Sequence, residues 1–365
     1  MQGVKKISFL LPSPPSVPVG GYKVVYEYAN RMAADGYDVD IVYPCYIRDF
    51  RRGPLGNLFI FLKAIVKFIL FFLNLKSCRT NWFRLDQRIG ERAVLSLWEW
   101  CVPRSDIYIA TAVKTAMCLD RYSCGANNKV YLVQHFENWE GVSDEMVTDT
   151  YRYGMKCAAI SKWLYDIVSI YNSSCVHIPN GFDFDFFCTY IHPSERNRFN
   201  VAMMYHKDAW KGCEDAFAAL AIVKERYPQL GVKIFGVAEE PEGLPDWYTY
   251  FQTPDRDTFN MIYNESAVFI GASLSEGWGL TIGEAMICSC AVACTDNDGY
   301  REMAINGTTA LLSSVKKPEE LAKNIISLIG DDNLRIKLAS NGNGYIKSFT
   351  WEESYRKLKE LILKG

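Results

Sequence analysis

Short apolar runs alternate with helical stretches along this chain, and that alternation restricts its fold more than any other feature. Four runs in the first half have the composition of buried strands, at residues 6–12, 38–44, 106–112 and 129–135. Between the first two lies GGYKVVYEYANRMAADG, which has helical periodicity and closes on a glycine. A strand, a helix and a second strand in this order predict a parallel sheet covered by helices.

The alternation begins again after Asn200. Five further runs have strand character, and helical stretches lie between them: NVAMMY, VKIFGV, AVFIGAS, CAVAC and TALLSS. A turn-rich segment at 179–200 is expected to join the two halves, and 365 residues fit two domains. We therefore predict an α/β protein with two Rossmann-like, doubly wound parallel-sheet domains that face a central cleft at the carboxyl ends of their strands. The predicted domains are 1–182 and 183–347, and a C-terminal helix at 348–365 is expected to pack back on the N-terminal domain.

Charge and cysteine content argue against several classes of function. Forty basic and forty-two acidic residues leave a net charge of −2, which gives no general attraction to nucleic acid. The twelve cysteines form no CxxC pair, and no cleavable signal precedes the first apolar run, so a reducing, cytoplasmic setting is expected. The four histidines are scattered and the cysteines of CSCAVAC are interpreted as buried thiols. No metal site is predicted, and the three Asp-x-Asp pairs are attributed to coincidence.

One segment departs from the alternation. Residues 55–75, LGNLFIFLKAIVKFILFFLNL, are as apolar as a membrane span but carry Lys63 and Lys67 near the middle, at an insertion cost of about 2.5–3.5 kcal/mol each. At helical pitch these lysines share a stripe with Gly56 and Asn74, and basic residues flank the segment. The pattern favours a helix in the membrane interface over one that spans, and the alternative is a helix buried between domains or in an oligomer interface. The residues predicted to contact the membrane are Phe59, Phe61, Lys63, Lys67, Phe68, Phe71 and Phe72.

The stretch GASLSEGWGLTIGEAM places two carboxylates, Glu276 and Glu284, eight positions apart. An apolar strand precedes it and LTIGEAMI is expected to begin a helix, so the N–H groups around Gly279, Leu280 and Thr281 would lie at a helix N-terminus, where phosphate binds. A carboxylate beside a diphosphate would be repelled, so each acid is better suited to accept hydrogen bonds from hydroxyl groups on either side of it. A sugar joined through a diphosphate to a ribose fits this pattern. The alternatives are that Thr281 and Glu284 form a capping box and that Glu276 is a solvated loop acid.

With these motifs in this order, the chain resembles the retaining nucleotide-sugar glycosyltransferases of family 4, which have the GT-B fold and often build bacterial surface polysaccharides. The E-x7-E spacing carries the resemblance, and the glycine-rich loop and helix from Gly20, the segments AISKWL and IPNGFD, and the pair Lys211 and Gly212 extend it over most of the chain. The resemblance implies that Glu284 holds the ribose hydroxyls and that Glu276 binds hydroxyls of the donor sugar.

Further roles follow from the same resemblance. Lys211 would neutralise the departing diphosphate, and the alternative is a surface lysine at a helix start. Backbone groups near the first carboxylate would contact the donor, from Gly277, Trp278, Gly279 and Leu280.

Two glycines and a histidine of the first half have expected roles as well. Gly20 and Gly21 would approach the phosphates or the acceptor from the opposite domain, although their spacing is not G-x-G-x-x-G and turn glycines are the alternative. His135 would contact the donor sugar; a core histidine is the alternative, and Glu137 takes its place if the register slips.

The chain also departs from the family pattern. An arginine usually precedes the diphosphate lysine by five or six residues, whereas Tyr205 and His206 stand at those positions here, with Lys207 beside them. His206 or Lys207 is expected to substitute. The family's G-x-P after the second carboxylate is replaced by Ser289, Cys290 and Ala291, which is expected to alter a turn.

The resemblance implies a retaining, metal-independent hexosyltransferase with no cofactor other than a nucleotide-diphosphate sugar as co-substrate. It would transfer the sugar to a hydroxyl of a glycan or lipid-linked oligosaccharide in cell-surface polysaccharide synthesis. A nucleotide-sugar epimerase or phosphorylase of the same fold is the alternative. The expected location is cytoplasmic, peripheral on the inner face of the cell membrane.

Overall fold

The computed structural model describes residues 5–363. The chain divides into two compact units. Unit 1 runs to Asn180 and resumes at Glu352, and unit 2 is Gly181–Trp351.

Unit 1 is built on a seven-stranded sheet in which every neighbouring pair of strands is parallel. Its strands are β1 (Lys6–Leu10), β2 (Asp38–Tyr46), β3 (Gly90–Ser96), β4 (Ile107–Ala110), β5 (Lys129–Val133), β6 (Lys156–Ala159) and β7 (Val176–His177). Its helices are α1 (Gly20–Ala34), α2 (Pro54–Phe72), α3 (Val113–Asp120), α4 (Asp144–Tyr151), α5 (Lys162–Tyr171) and α11 (Trp351–Leu363). The strand order is β3-β2-β1-β4-β5-β6-β7, so the direction of winding reverses beside β1. Ligands of doubly wound sheets bind at such a reversal, outside the carboxyl ends of the strands.

The C-terminal helix α11 is part of unit 1 from Glu352 onward. Asp35, at the end of α1, accepts a hydrogen bond from the Tyr355 hydroxyl at 2.7 Å and pairs with Lys359 at 2.5 Å. The Lys156 Nζ also donates to the carbonyl of Ile362. These contacts attach the end of the chain to the first unit.

Unit 2 is built on a six-stranded, all-parallel sheet in the order β10-β9-β8-β11-β12-β13. Its strands are β8 (Asn200–Met204), β9 (Gly231–Gly236), β10 (Tyr248–Gln252), β11 (Val268–Gly271), β12 (Ala291–Thr295) and β13 (Ala310–Ser313). Its helices are α6 (Cys213–Arg226), α7 (Arg256–Glu265), α8 (Leu280–Ile287), α9 (Pro318–Gly330) and α10 (Asp332–Ile346). The central strands are buried on both faces, which explains their continuous apolar sequences.

A buried arginine fixes the turn between α8 and β12. Arg196 is 6% exposed, and its guanidinium donates hydrogen bonds to the carbonyls of Cys288 and Ser289. Ser289 has a left-handed backbone with φ of 57°. The arginine therefore stabilises a turn that lacks the glycine of the family pattern.

Candidate functional site

The loop from β11 to α8 ends at a glycine that no other residue can replace without strain. Gly279 caps α8 with φ of 99°, and a Cβ there would lie 2.5 Å from the ring of Tyr300. Among residues 5–363, no protein acceptor binds the backbone N–H groups of Leu280 and Thr281, which lie in the first turn of α8. The helix therefore presents free donors at its positive end. Because Gly279 is the cap, Thr281 does not form the capping box considered above.

Lys211 and Glu276 form an ion pair with 2.7 Å between Nζ and Oε1. Their side chains are only 15% and 12% exposed. The same carboxylate oxygen accepts a hydrogen bond from the Ser273 hydroxyl at 2.7 Å, and Ser273 in turn accepts one from Tyr300 at 3.2 Å. The pair is thus held at the carboxyl end of β11 by a connected set of hydroxyl groups.

Lys211 reaches this position through a tight turn after β8. It ends a short 3-10 helix, Ala209–Lys211, and the next residue, Gly212, has φ of 64°. A Cβ on Gly212 would lie 2.0 Å from the carbonyl oxygen of Ala272. The backbone N–H of Leu274 donates to the carbonyl of Trp210 at 2.8 Å. The two loops that carry Lys211 and Glu276 are therefore joined directly.

Glu284 lies on the second turn of α8 and is 4% exposed. The Tyr263 hydroxyl donates to its Oε2 at 3.2 Å. Burial, followed by the charge of Glu284, holds the pKa of Tyr263 well above its usual value, so the phenol remains a donor. The structure thus places Glu284 on the helix that carries the free N–H groups.

His206 and Lys207 follow β8, close to the turn that carries Lys211. The backbone N–H of Asp208 donates to His206 Nδ1 at 3.1 Å, so the ring proton lies on Nε2 when the imidazole is neutral. Burial lowers the pKa of His206, which favours that neutral form. Lys207 is mostly exposed, and its nearest carboxylate, Glu239, is 3.9 Å away.

The side chain of Trp278 is buried. The indole is 3% exposed, and its ring lies 5.3 Å from that of Phe349 and 6.5 Å from that of Phe182. Gly277 beside it is also buried. This packing leaves the backbone as the part of Trp278 that is suited to ligand contact.

The predicted residues of unit 1 lie at the carboxyl ends of its strands. Gly20 and Gly21 are the first residues of α1, and Gly21 lies against the side chain of Gln134. His135 follows β5 and makes edge contacts with Trp139 and Trp163, with centroids 4.9 and 5.9 Å away. Their roles toward a ligand remain predictions.

Glu137 has a structural role that the sequence did not indicate. Its carboxylate accepts a hydrogen bond from the backbone N–H of Val113 at 2.7 Å, at the start of α3. Burial raises its pKa to about 7. The side chain is therefore a helix-end acceptor that titrates near neutral pH.

Helix α2 packs on β2 and β3 and leaves an apolar face exposed. It is long and apolar enough to cross a membrane, and little of it is buried in the protein. Leu70 and Phe72 are exposed, and a further set of exposed apolar side chains lies along one side of the helix at helical spacing: Leu55, Leu58, Phe59, Leu62, Val66, Ile69 and Leu73. We call these residues the outer face of α2.

Two of the aromatic residues assigned to the membrane contact the rest of the protein. Phe71 is buried, and the ring of Phe61 packs on Tyr46 and Trp98 at 5.2 and 5.7 Å. The expectation was wrong for the buried Phe71, because α2 is apolar on all sides and its sequence does not show which side contacts the sheet. Phe61 is half-buried, so its assignment stays a prediction. Of the other assigned residues, Phe59, Lys63 and Phe72 are exposed, whereas Phe68 and Lys67 are half-buried.

Sequence reasoning missed an exposed tryptophan pair beside this helix. Trp98 and Trp100 stack with centroids 5.4 Å apart, and Trp100 is 76% exposed. Indole rings favour the boundary between lipid and water. The sequence WEW at residues 98–100 was the feature that could have indicated this pair.

Within residues 5–363, no group of three or more His, Cys, Asp and Glu side chains is arranged to hold a metal ion. The Asp-x-Asp pairs have local partners. Asp296 and Asp298 bind Arg301, Asp255 caps α7, and Asp183 accepts from the backbone of Asp185.

Comparison with known proteins finds a family match in the second half of the chain. Residues 192–344 match the family described as "Glycosyl transferases group 1". An uncharacterized glycosyltransferase of Methanocaldococcus jannaschii is 38% identical over 81 residues, which are 22% of this chain and 23% of that protein. A phosphatidyl-myo-inositol mannosyltransferase of Mycolicibacterium smegmatis is 25% identical over 190 residues, which are 49% of each chain. The chain thus spans about half or less of the length of these curated relatives.

A solved structure extends the comparison to the whole fold. The Anabaena protein HepE, in complex with UDP-glucose, has a TM-score of 0.71 and 17% identity, with 98% of both chains covered. The chain therefore has the α/β two-domain GT-B fold, and the predicted fold class is confirmed. Residues 192–344, which match the model of the glycosyl transferases group 1, include Lys211, Glu276 and Glu284.

Proposed function

We propose that the chain is a retaining, metal-independent glycosyltransferase that moves a hexose-type sugar from a nucleotide-diphosphate donor to a hydroxyl of a glycan or lipid-linked oligosaccharide. The observation that carries the proposal is the ion pair of Lys211 and Glu276, joined by Ser273 to the loop that leads into the free N–H groups of α8. An ammonium group and a helix N-terminus suit a diphosphate, and two nearby carboxylates suit sugar and ribose hydroxyls.

Each side chain has a role in this scheme. Glu284 accepts hydrogen bonds from the ribose, and its Tyr263 partner holds the carboxylate in position. Glu276 accepts from hydroxyls of the transferred sugar. Lys211 and the N–H groups of Leu280 and Thr281 stabilise the diphosphate, with backbone contacts from the loop before them.

His206 is proposed as the substitute for the family's phosphate arginine. Its Nδ1 is occupied by the Asp208 N–H, so Nε2–H is available to donate to a phosphate oxygen. Because the pKa of His206 is lowered, this contact is a neutral hydrogen bond near pH 7 and not a second positive charge. Lys211 then carries most of the compensating charge.

The proposed reaction is a displacement on one face of the sugar. The bond from the anomeric carbon to the diphosphate oxygen breaks while the acceptor oxygen forms a bond to the same face, through an oxocarbenium-like state. The departing phosphate accepts the proton of the acceptor hydroxyl, and Lys211 with the start of α8 stabilises its charge. This step is proposed without a protein nucleophile, because Glu276 is assigned to bind sugar hydroxyls and its Oε1 is held by Lys211 and Ser273.

The proposed setting is the cytoplasmic surface of a membrane. The outer face of α2 and the Trp98–Trp100 pair are apolar, whereas Lys63, Lys76 and Arg79 nearby in sequence are exposed. Apolar surface beside exposed cations suits the boundary of an anionic leaflet. One relative is, by name, a phosphatidyl-myo-inositol mannosyltransferase, which supports a membrane-held acceptor. A role in cell-surface polysaccharide synthesis follows from such an acceptor.

A transfer assay tests this proposal. The full chain is incubated with nucleotide-diphosphate sugars and membrane lipid extract, in buffer containing EDTA, and the product is analysed by NMR. We expect sugar to appear in a lipid product with its donor anomeric configuration. Lys211→Gln should lower the rate of transfer at least about 100-fold, and Glu284→Ala should abolish it. An epimerase would return an altered sugar without any acceptor, and that product, or inversion at the anomeric carbon, would contradict the proposal.

A further inference from the structure

A cavity of about 220 Å³ lies in unit 1 between the carboxyl ends of two central strands and the inner side of α2. Ser13 follows β1, Cys45 lies near the end of β2, and Ile60 and Lys67 of α2 complete one wall. The winding reverses between β1 and β4, and Lys114 at the start of α3, which follows β4, also lines the cavity, so the cavity lies beside the place where doubly wound sheets bind ligands. Its volume is several times the ~30 Å³ that one water takes in the liquid.

Three cations and two anions line this cavity, and four of the five form pairs. Lys114 pairs with Glu140 at 2.5 Å, and Arg51 pairs with Asp49 through two hydrogen bonds of 3.0 Å. Within residues 5–363, Lys67 has no ion-pair partner. The Lys67 ammonium therefore supplies the unbalanced positive charge of the cavity.

Lys67 is also held on the inner side of an apolar helix. It is half-buried, and its Nζ lies 5.8 Å from the ring centroid of the buried Phe71. Lys63, one turn earlier, is exposed, and its Nζ lies 4.3 Å from the ring of Phe59 on the outer face. A half-buried ammonium is less well hydrated than an exposed one, so an anionic partner is favoured at Lys67.

The cavity and the outer face of α2 lie on different sides of the same helix. The same helix carries Lys67 toward the cavity and the outer face of α2 toward solvent. A lipid at the edge of α2 would have its chains against the outer face and its headgroup in the cavity, within reach of Lys67 on the inner side of the helix. A soluble anion would contact only the cavity, whereas a lipid would contact both the cavity and the outer face of α2.

We infer that the cavity beside Lys67 binds the phosphate group of a membrane lipid, and that this lipid is the acceptor. The second part of the inference rests on the proposed function, whereas the phosphate site does not. Lys67 forms a charge-assisted hydrogen bond to the phosphate, and Ser13 and Lys114 line the same space. The outer face of α2 holds the apolar chains.

The test measures binding of the full chain to phosphatidylcholine vesicles that contain either phosphatidic acid or phosphatidylserine at equal surface charge. We expect preference for the phosphate monoester of phosphatidic acid, and Lys67→Gln to reduce that preference about tenfold. Lys67→Arg, which keeps the charge, should retain it. Lys63→Gln is the matched control on the same helix and should weaken binding to both vesicles equally, about fivefold.

Two results would overturn the phosphate site. In one, Lys67→Gln weakens binding to both vesicle types equally, which would make Lys67 a general surface charge, or changes binding to neither, which would give Lys67 no role in membrane binding. In the other, inorganic phosphate stabilises the wild-type protein and not Lys67→Gln while the vesicles show no preference, so the site takes a free anion and no lipid.

Nucleoside diphosphate binding, measured on the same samples, separates this inference from the proposed function. Normal nucleotide binding by Lys67→Gln with loss of lipid preference supports both. A wild-type protein that binds no nucleotide but keeps a Lys67-dependent lipid preference would remove the glycosyltransferase proposal and leave the phosphate site intact.

Discussion

Lys211 and Glu276 neutralise each other in a poorly hydrated position, and this pairing determines how each should respond to substitution. The carboxylate also has Ser273 as a partner, whereas the ammonium has the face of Trp210, 4.1 Å away. In the proposed complex, the Lys211 ammonium would either leave Glu276 for the diphosphate or contact both groups. In the proposed complex, Glu276 would therefore compete with the nucleotide for Lys211 while it binds the sugar.

Glu276→Gln should separate nucleotide binding from transfer. Loss of the competing carboxylate should leave nucleoside diphosphate affinity unchanged or raised. Turnover should fall about 100-fold, because the transferred sugar loses the carboxylate that accepts its hydrogen bonds. Lys211→Gln should weaken nucleotide binding and lower turnover by about 100- to 1,000-fold. Calorimetric titration and turnover of both variants, with Ser275→Ala as a control in the same loop, check this. Equal losses of nucleotide affinity in the two variants would refute the competition.

Glu137 should make the stability of unit 1 depend on pH. Its pKa is raised from 4.5 to about 7 in the folded protein, so the fold favours the protonated acid. The wild-type protein should therefore lose unfolding free energy relative to Glu137→Gln as pH rises from 4.5 through about 7. Denaturant unfolding of both proteins across this range measures the difference. A constant difference would show that the carboxyl has an ordinary pKa.

At the scale of elements, two glycine turns decide where the site residues lie. Gly279 allows α8 to begin against Tyr300, and Gly212 allows the turn after β8 to pass the carbonyl of Ala272. Both turns are followed directly by helices of unit 2, namely α8 and α6. The geometry of Lys211 thus depends on a backbone that has no room for a side chain at residue 212.

Gly212→Ala should destabilise unit 2 by about 2–4 kcal/mol. Alanine is strained in the left-handed conformation of residue 212, and its Cβ would also clash with the backbone carbonyl of Ala272. It should also move Lys211 and reduce nucleotide binding. Gly231→Ala is the matched control, since its Cβ would meet only Asn200, at 3.8 Å, and it should change stability by less than about 1 kcal/mol. Thermal unfolding and nucleotide titration of the two variants test this. Equal stability of the Gly212→Ala and Gly231→Ala variants would contradict the predicted strain at residue 212.

Strand prediction succeeded where burial leaves a continuous apolar run. The nine predicted strands all occur, from β1 at Lys6–Leu10 to β13 at Ala310–Ser313. The missed strands lack that signal. The strands β3 and β10 lie at sheet edges and contain charged, polar or aromatic residues, β6 (KCAA) has no β-branched or aromatic residue, and β7 has only two residues. Edge position and tertiary pairing override local propensity at such positions.

The sequence indicated which side chains would lie near the start of α8, but not the contacts that they make with one another. The motif around Glu276 and Glu284 placed both acids near the start of α8, but the ion pair to Lys211 joins residues 65 positions apart. The support from Ser273, Tyr300 and Tyr263 also depends on packing across strands and loops. The side of α2 that contacts β2 and β3 was hidden because both sides of the helix are apolar.

At the scale of the whole molecule, the chain has a net charge of only −2 and an apolar helix face about 19 residues long. General electrostatic attraction to an anionic membrane is therefore weak, and binding has to depend on the local surface around α2. Salt should weaken this binding only in part, because insertion of apolar side chains is not screened.

Val66→Asp should reduce sedimentation with anionic vesicles at least tenfold, because it places a charge in the centre of the outer face of α2. Ile222→Asp, a comparable change on α6 of unit 2, is the matched control and should leave vesicle binding unchanged. If Val66→Asp binds as well as the wild-type protein, α2 does not mediate membrane binding.

The most direct test of the central claim is thermal stabilisation by UDP, GDP, dTDP and ADP, with and without EDTA, for the wild-type protein and Glu284→Ala. We predict that at least one nucleoside diphosphate stabilises the wild-type protein, that EDTA does not change the effect, and that Glu284→Ala loses it. Stabilisation by none of the four, or equal stabilisation of Glu284→Ala, would contradict a nucleotide-sugar site at the start of α8.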